Sequence, residues 1–213
     1  MLAREHQANE GSRKAMLKVL GRHTSGNVQK VLWLLGEAGI AYEREDYGRQ
    51  FGNTLTDAYR SLNPNSKVPT LVDGETVIWE SNSILRYLAE KYATQFEGGT
   101  PAEKSQTGRW MDWLLAAVNA PYLVLFRETK KAPAERGAEF ASAVAEMDSL
   151  LQILDGHLKG RNFVALEKLT IADFSLAPVV KRCAAFSIER KPAPEVERWL
   201  SSFARRDAFK VVS

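Results

Sequence analysis

The period of the hydrophobic pattern changes once along this chain, near residue 93, and no other feature limits its architecture as much. Before that point short β-prone runs alternate with helical ones; after it only helical spacing remains. Residues 17–20 read as a strand. Residues 28–38 read as an amphipathic helix with Val28, Val31, Leu32 and Leu35 on one face, stopped by Gly39. A second strand is expected over 41–47, and a short helix over 55–62 that ends at Asn63-Pro64, because the residue before a proline is pushed out of helical backbone. The runs 69–72 and 76–79 flank Asp73-Gly74, a dipeptide suited to a tight hairpin turn. A last helix over 81–92 turns Ile84, Leu85, Leu88 and Tyr92 inward.

The order β-α-β-α-β-β-α predicts a parallel strand pair joined by a helix, then an antiparallel hairpin. Together they make a small mixed sheet with helices on both faces. That is a thioredoxin-like α/β domain, expected over residues 16–93. Residues 94–101, which hold Gly98-Gly99 and Pro101, read as a linker. An all-α domain is expected over 102–213, with helices at 102–130, 134–159, 171–185 and 195–205. The polar start MLAREHQANEGSRKA lacks the apolar run of a secretion signal, and residues 1–15 read as a disordered leader or an over-extended start.

Composition narrows the function classes. Hydrophobic residues at 45% and charged ones at 26% are those of a globular protein, not of a disordered or fibrous one. The net charge of +3 is not concentrated: residues 16–93 hold nine Lys/Arg against nine Asp/Glu, and 94–213 seventeen against fifteen. Neither half has the basic excess that a phosphate-tracking surface needs, so no nucleic acid partner is expected. No stretch reaches bilayer-spanning length, so no membrane partner is expected either. Cys183 is the only cysteine, which excludes an internal disulfide, a CxxC pair and a thiolate metal cluster and suits a reducing cytoplasm. No metal is expected.

Three stretches combine residue types that bind anions or extended peptides. His23-Thr24-Ser25-Gly26-Asn27 leaves the first strand and enters a helix, whose start offers unpaired N–H groups and partial positive charge. A hydroxyl there is either a cap or a means of holding an anion. In Ser66-Lys67-Val68-Pro69-Thr70, a proline precedes a strand, where its missing donor is tolerable. In Glu80-Ser81-Asn82-Ser83, an acid and a hydroxyl meet another helix start; both could simply be capping groups.

These motifs, "TSGNVQKVLW", "NSKVPTL" and "ESNSILRYL", followed in the helical half by "LTIADFSLAP", stand in an order and spacing that resemble the cytosolic glutathione transferases, from about Met16 to the C-terminus. The resemblance implies a bacterial enzyme with a serine-type active site, similar to the theta or phi classes. It implies that Glu80 accepts from the γ-glutamyl ammonium of glutathione and that Ser81 holds the adjacent carboxylate. It further implies a cis Pro69 that turns the backbone of Val68 toward the cysteinyl segment, and Lys67 near the glycyl carboxylate. On the same resemblance Ser25 is expected to donate a hydrogen bond that keeps the thiol ionised, with Thr24 and Asn27 as the competing residues in the same turn. Arg49-Gln50 would offer a further basic or amide group for the glycyl carboxylate, but the loop 47–53 aligns poorly with any pattern and is discounted, and His23 reads as a loop residue. No tyrosine or cysteine lies between Met16 and Asn27, which disfavours the tyrosine and mixed-disulfide classes.

In the helical half, Trp110, Met111, Tyr122 and Phe126 are candidates for the wall of a second-substrate pocket, although aromatics at helical spacing are commonly core. Thr170 and Asp173 read as a capping box with Leu169 and Phe174 as its staple, for which loss of Asp173 should cost on the order of 1 kcal/mol. The activity implied is conjugation of glutathione thiolate to small apolar electrophiles in a cytoplasmic homodimer serving detoxification, with glutathione as co-substrate and no further cofactor. Glutathione-dependent peroxidase or isomerase chemistry on the same site, or a non-enzymatic binding module, are the alternatives.

Overall fold

Four short strands make one sheet in the order β2-β1-β3-β4. The computed structural model describes residues 16–212; the expected leader over 1–15 lies outside the described residues. Strand β1 (Leu17–Leu20) runs parallel to β2 (Tyr42–Glu45) and antiparallel to β3 (Thr70–Asp73), which pairs with β4 (Thr76–Trp79). The hairpin turns at Gly74, whose φ of 60° is the conformation that favours glycine. Three of the four β1 residues are buried, and the fourth, Lys18, points out to the acids of β2 at Glu43 and Glu45.

Helix α1 (Gly26–Glu37) connects β1 to β2 and is not amphipathic in place: residues 28 to 35 are all buried. The sheet covers one side. The other is covered by α7 (Ile171–Ala184) and by a 3-10 turn, Asp207–Val211, near the C-terminus. Trp33 packs edge-on against Phe174, Phe203 and Phe209 at 4.5, 5.1 and 4.6 Å, and Arg206 holds Glu37 through two bonds of 2.7 and 3.0 Å. Helices α2 (Asp57–Leu62) and α3 (Ser81–Tyr92) complete the α/β half.

The long helix expected over 102–130 is two helices, α4 (Pro101–Trp113) and α5 (Asn119–Glu128), separated by a π-helical stretch, Leu114–Val118. Pro121 accounts for the break: it has no N–H for the carbonyl of Ala117, and its ring crowds that carbonyl, so the preceding turn widens. Pro101, read from sequence as linker, is the first residue of α4, capped by Thr100 and Glu103. Helix α6 (Glu139–Leu158) starts later than expected, because Pro133–Glu135 forms a separate 3-10 turn and the Gly137 N–H donates to Glu128 at 2.7 Å. Helix α8 (Pro194–Ala204) closes the bundle.

Asp173 does more than the cap expected of it. Its carboxylate accepts from the N–H and hydroxyl of Thr170 at 3.0 and 3.2 Å, from the Val164 N–H at 2.9 Å and from the Trp199 indole at 3.1 Å. Burial pushes its pKa up to about 6 against the pull of those four donors.

Candidate functional site

The turn between β1 and α1 leaves Ser25 at the N-cap of α1 in extended backbone (φ −81°, ψ 123°), yet its hydroxyl makes no cap hydrogen bond. The capping reading therefore fails. Ser25 is 7% exposed, and its side chain opens on a cleft of about 280 Å³ at the positive end of α1. Lining the same cleft are Asn27, Lys67 and Val68, three residues that the sequence motifs singled out. Thr24 is exposed and offers its carbonyl to Arg182 at 2.8 Å, and the exposed His23 gives its carbonyl to Gln29 at 2.9 Å.

The Val68–Pro69 peptide bond is cis. Tyr59 and Asn63 of the α2 region, neither anticipated, hold the segment before it: the Tyr59 hydroxyl and the Asn63 amide donate to the Lys67 carbonyl at 2.6 and 2.8 Å, and both meet the Thr70 hydroxyl. The carbonyl of Lys67 is thus committed, while its ammonium stands exposed at the cleft. The Asn63-Pro64 signal in the sequence marked the helix end but not this second task.

The 47–53 loop, which fits no sequence pattern, borders the cleft. Asn53 ties it down, accepting from the Gly48 N–H at 3.0 Å and donating to the Asp46 carbonyl at 3.0 Å, and the loop delivers Gly48 and Arg49 to the cleft. A Cβ on Gly48 would fall 2.9 Å from the Arg22 guanidinium, the movable end of a long side chain, so it is the φ of 84° that calls for glycine here. Among the described residues three non-glycines take positive φ: Arg49 at 46°, Ser66 at 55° and Glu80 at 69°. The first two line the cleft, and strained backbone of this kind concentrates at binding sites.

Glu80 and Ser81 begin α3, Glu80 exposed at its N-cap and Ser81 buried in its first turn. They do not line the cleft itself. Lys30, one turn into α1, links the two regions: it is 1% exposed, and burial lowers its pKa to about 7, with Glu80 as the opposing charge that raises it.

Of the candidates for the second-substrate wall, two are core. Met111 is fully buried with its carbonyl bonded to Asn82 at 3.1 Å, and Trp110, 8% exposed, packs against Trp113 and His157 inside the helical bundle. Aromatic spacing on a helix is shared by core and pocket, and here the core claims it. Tyr122 and Phe126 are half-buried and stand by the cleft: Tyr122 hydrogen-bonds Arg182, and Arg49 lies 5.3 Å over the Phe126 ring. Cys183 is buried, its thiol pushed up to about 12, so it has no thiolate to offer at neutral pH. No group of three or more metal-ligating side chains occurs among the described residues.

The family model for the N-terminal domain of glutathione S-transferase matches residues 24–91, and that for the C-terminal domain residues 115–207. A curated relative, glutathione S-transferase GstB of Escherichia coli K12, is 32% identical over 202 residues, covering 92% of this chain and 97% of that protein. Among solved structures, the theta class glutathione S-transferase of Xanthomonas axonopodis pv. citri with glutathione bound superposes with a TM-score of 0.87 at 36% identity, covering 92% of this chain and 96% of that one. A glutathione transferase family member of Pseudomonas fluorescens pf-5 with two glutathione bound gives a TM-score of 0.84 at 26% identity, covering 94% and 93%.

Proposed function

The chain belongs to the glutathione S-transferase family and is a glutathione transferase, and we propose that Ser25 is the residue that keeps the glutathione sulfur ionised for attack on a small electrophile. The observation that carries this reading is the uncommitted Ser25 hydroxyl facing a cleft at the N-terminus of α1. An anionic sulfur there gains a hydroxyl donor and the helix dipole together, and both favour thiolate over thiol. Asn27 shares the cleft and can add a second donor; Thr24, turned to solvent, is the weaker of the three.

The rest of the tripeptide follows the same logic. Lys67 meets the glycyl carboxylate as a point charge, the main chain of Val68 beside the cis Pro69 takes the cysteinyl backbone, and Glu80 with Ser81 receives the γ-glutamyl end at the start of α3. Tyr122 and Phe126 form the wall for the electrophile. Catalysis then rests on placing a stabilised thiolate against a bound electrophile, which needs no general base on the protein.

The protein is read as a homodimer of the cytoplasm acting in detoxification, with residues 16–93 and 102–213 as its two domains and 94–101 between them. Support for a dimer comes from large apolar side chains left exposed, Trp79 on the edge strand, Leu115 in the π-helical stretch and Leu123 in α5. No helix among the described residues is long and apolar enough to cross a membrane.

The test is an ultraviolet titration of thiolate in bound glutathione. The wild-type complex is expected to ionise at least about one pH unit below free glutathione, whose thiol lies near 8.5, and Ser25→Ala is expected to return most of that difference. Equal acidity in complex and solution, unchanged by the substitution, overturns the role of Ser25.

A further inference from the structure

Four cations converge on the side of the cleft that faces the helical domain. Arg22 and Arg49 line it, with the Arg22 guanidinium 2.9 Å from where a Gly48 Cβ would stand. Arg182 arrives from α7, donating to the Thr24 carbonyl and to Gln29 at 2.8 and 2.9 Å, and its guanidinium lies 3.2 Å from the Cβ position of Gly26. Lys130 arrives from the end of α5, with its ammonium 3.7 Å over the Phe126 ring; Arg49 lies over the same ring at 5.3 Å. These groups feel one another: Arg49 and Arg182 both act to lower Arg22 and Lys130, after the larger effect of partial burial.

Such an arrangement is costly in an empty protein. Like charges repel, and Arg182 sits at the positive end of the α1 dipole, where a cation is unfavourable. Glutathione does not use up the surplus. Its ammonium belongs with Glu80 and its glycyl carboxylate with Lys67, so only the thiolate and the γ-glutamyl carboxylate remain, and the latter lies at the start of α3. Lys130 stands over the aromatic wall, and Arg49, which lines the cleft, lies over the same Phe126 ring; no carboxylate among the described residues pairs with either.

We propose that the second substrate is an electrophile with an apolar, aromatic body and a carboxylate, the ring stacking on Tyr122 and Phe126 and the carboxylate held by Lys130 and Arg49. The inference rests on the transferase reading above and names the substrate class of its second site. For a benzylic halide the thiolate sulfur forms the C–S bond as the C–halogen bond breaks; the halide leaves with the electron pair, and the thiol proton has already gone to solvent.

The experiment compares para-(bromomethyl)benzoate with its methyl ester, which presents the same reacting carbon without the charge, each corrected for uncatalysed reaction with glutathione. The wild-type enzyme is expected to show the higher kcat/KM for the acid. In Lys130→Gln the acid-to-ester ratio is expected to fall roughly tenfold, the worth of one charge-assisted hydrogen bond, and in Lys130→Arg to be retained. A ratio that favours the ester, or one that Lys130→Gln leaves unchanged, overturns the proposal while the transferase reading stands. Turnover of neither probe, with glutathione still bound, likewise overturns the proposal.

Discussion

The hydroxyl of Ser175 donates to the side-chain oxygen of Asn82 at 2.7 Å, so that a residue of α7 is bonded to the first turn of α3, 93 positions earlier in the chain. The amide of Asn82 also donates to the Met111 carbonyl at 3.1 Å, where the π-helical stretch after α4 is about to begin. All three side chains are buried, which makes this a closed polar link between the sheet half and the helical half. Asn82→Ala removes both bonds and strands a buried hydroxyl and a buried carbonyl, each costing about 1–3 kcal/mol. The expected loss is about 3 kcal/mol in urea unfolding, with a slope like that of the wild type; a loss within 0.5 kcal/mol, typical of surface substitutions, contradicts the link.

Much of this was legible in the sequence, and the failures share a cause. The Asp73-Gly74 hairpin and the entry into α1 through Thr24-Ser25-Gly26 are local signals, set by turn chemistry within a few residues. Lys30 belongs, by period alone, on the polar face of α1, but α7 and the C-terminal turn cover that face, and nothing within α1 announces them. Arg182 reaches the cleft from 158 residues beyond Thr24, and Arg49 comes from a loop that has no period to read. The split of the 102–130 helix was readable in principle, since Pro121 stood within the expected helix.

Asp173 gives a prediction on stability. As a cap alone its loss costs about 1 kcal/mol; as the shared acceptor of Val164, Thr170 and Trp199 it leaves several buried donors unpaired, so Asp173→Ala is expected to cost about 3–5 kcal/mol. Its folded pKa, about 6, lies above the ordinary value of 3.8. Between those values the unfolded chain has already released the proton that the folded one keeps, so this group's contribution is full below pH 3.8 and is lost as pH rises through about 6. Asp173→Asn, measured by chemical unfolding across that range, is expected to remove this fall.

Lys30 acts with the opposite sign on the alkaline side. Its folded pKa of about 7 lies below the ordinary 10.5, so between those values the unfolded chain binds the extra proton. Stability from this group therefore rises with pH from about 7 to 10.5 and is lost as pH falls through 7. Lys30→Met keeps the stem packed and cannot ionise. Its melting temperature is expected to exceed the wild-type value at pH 6 and to vary less between pH 7 and 10; a wild-type profile that is already flat there, or a variant less stable at pH 6, contradicts a buried neutral lysine.

The same lysine couples α1 to the proposed γ-glutamyl site. Glu80 is the charge that holds Lys30 up toward protonation, and it also stands where a ligand ammonium is expected. When that ammonium binds, Glu80 acquires a second cation to serve, and its hold on Lys30 weakens. Glu80→Ala should therefore do two separable things: release the protein early from immobilised glutathione, and deepen the pH dependence that Lys30 imposes on the free protein. Ser81→Ala should do only the first, because Ser81 carries no charge. Retention equal to wild type in both variants removes the γ-glutamyl assignment from this pair, while weaker retention of Glu80→Ala with an unaltered stability profile separates ligand binding from any tie to Lys30.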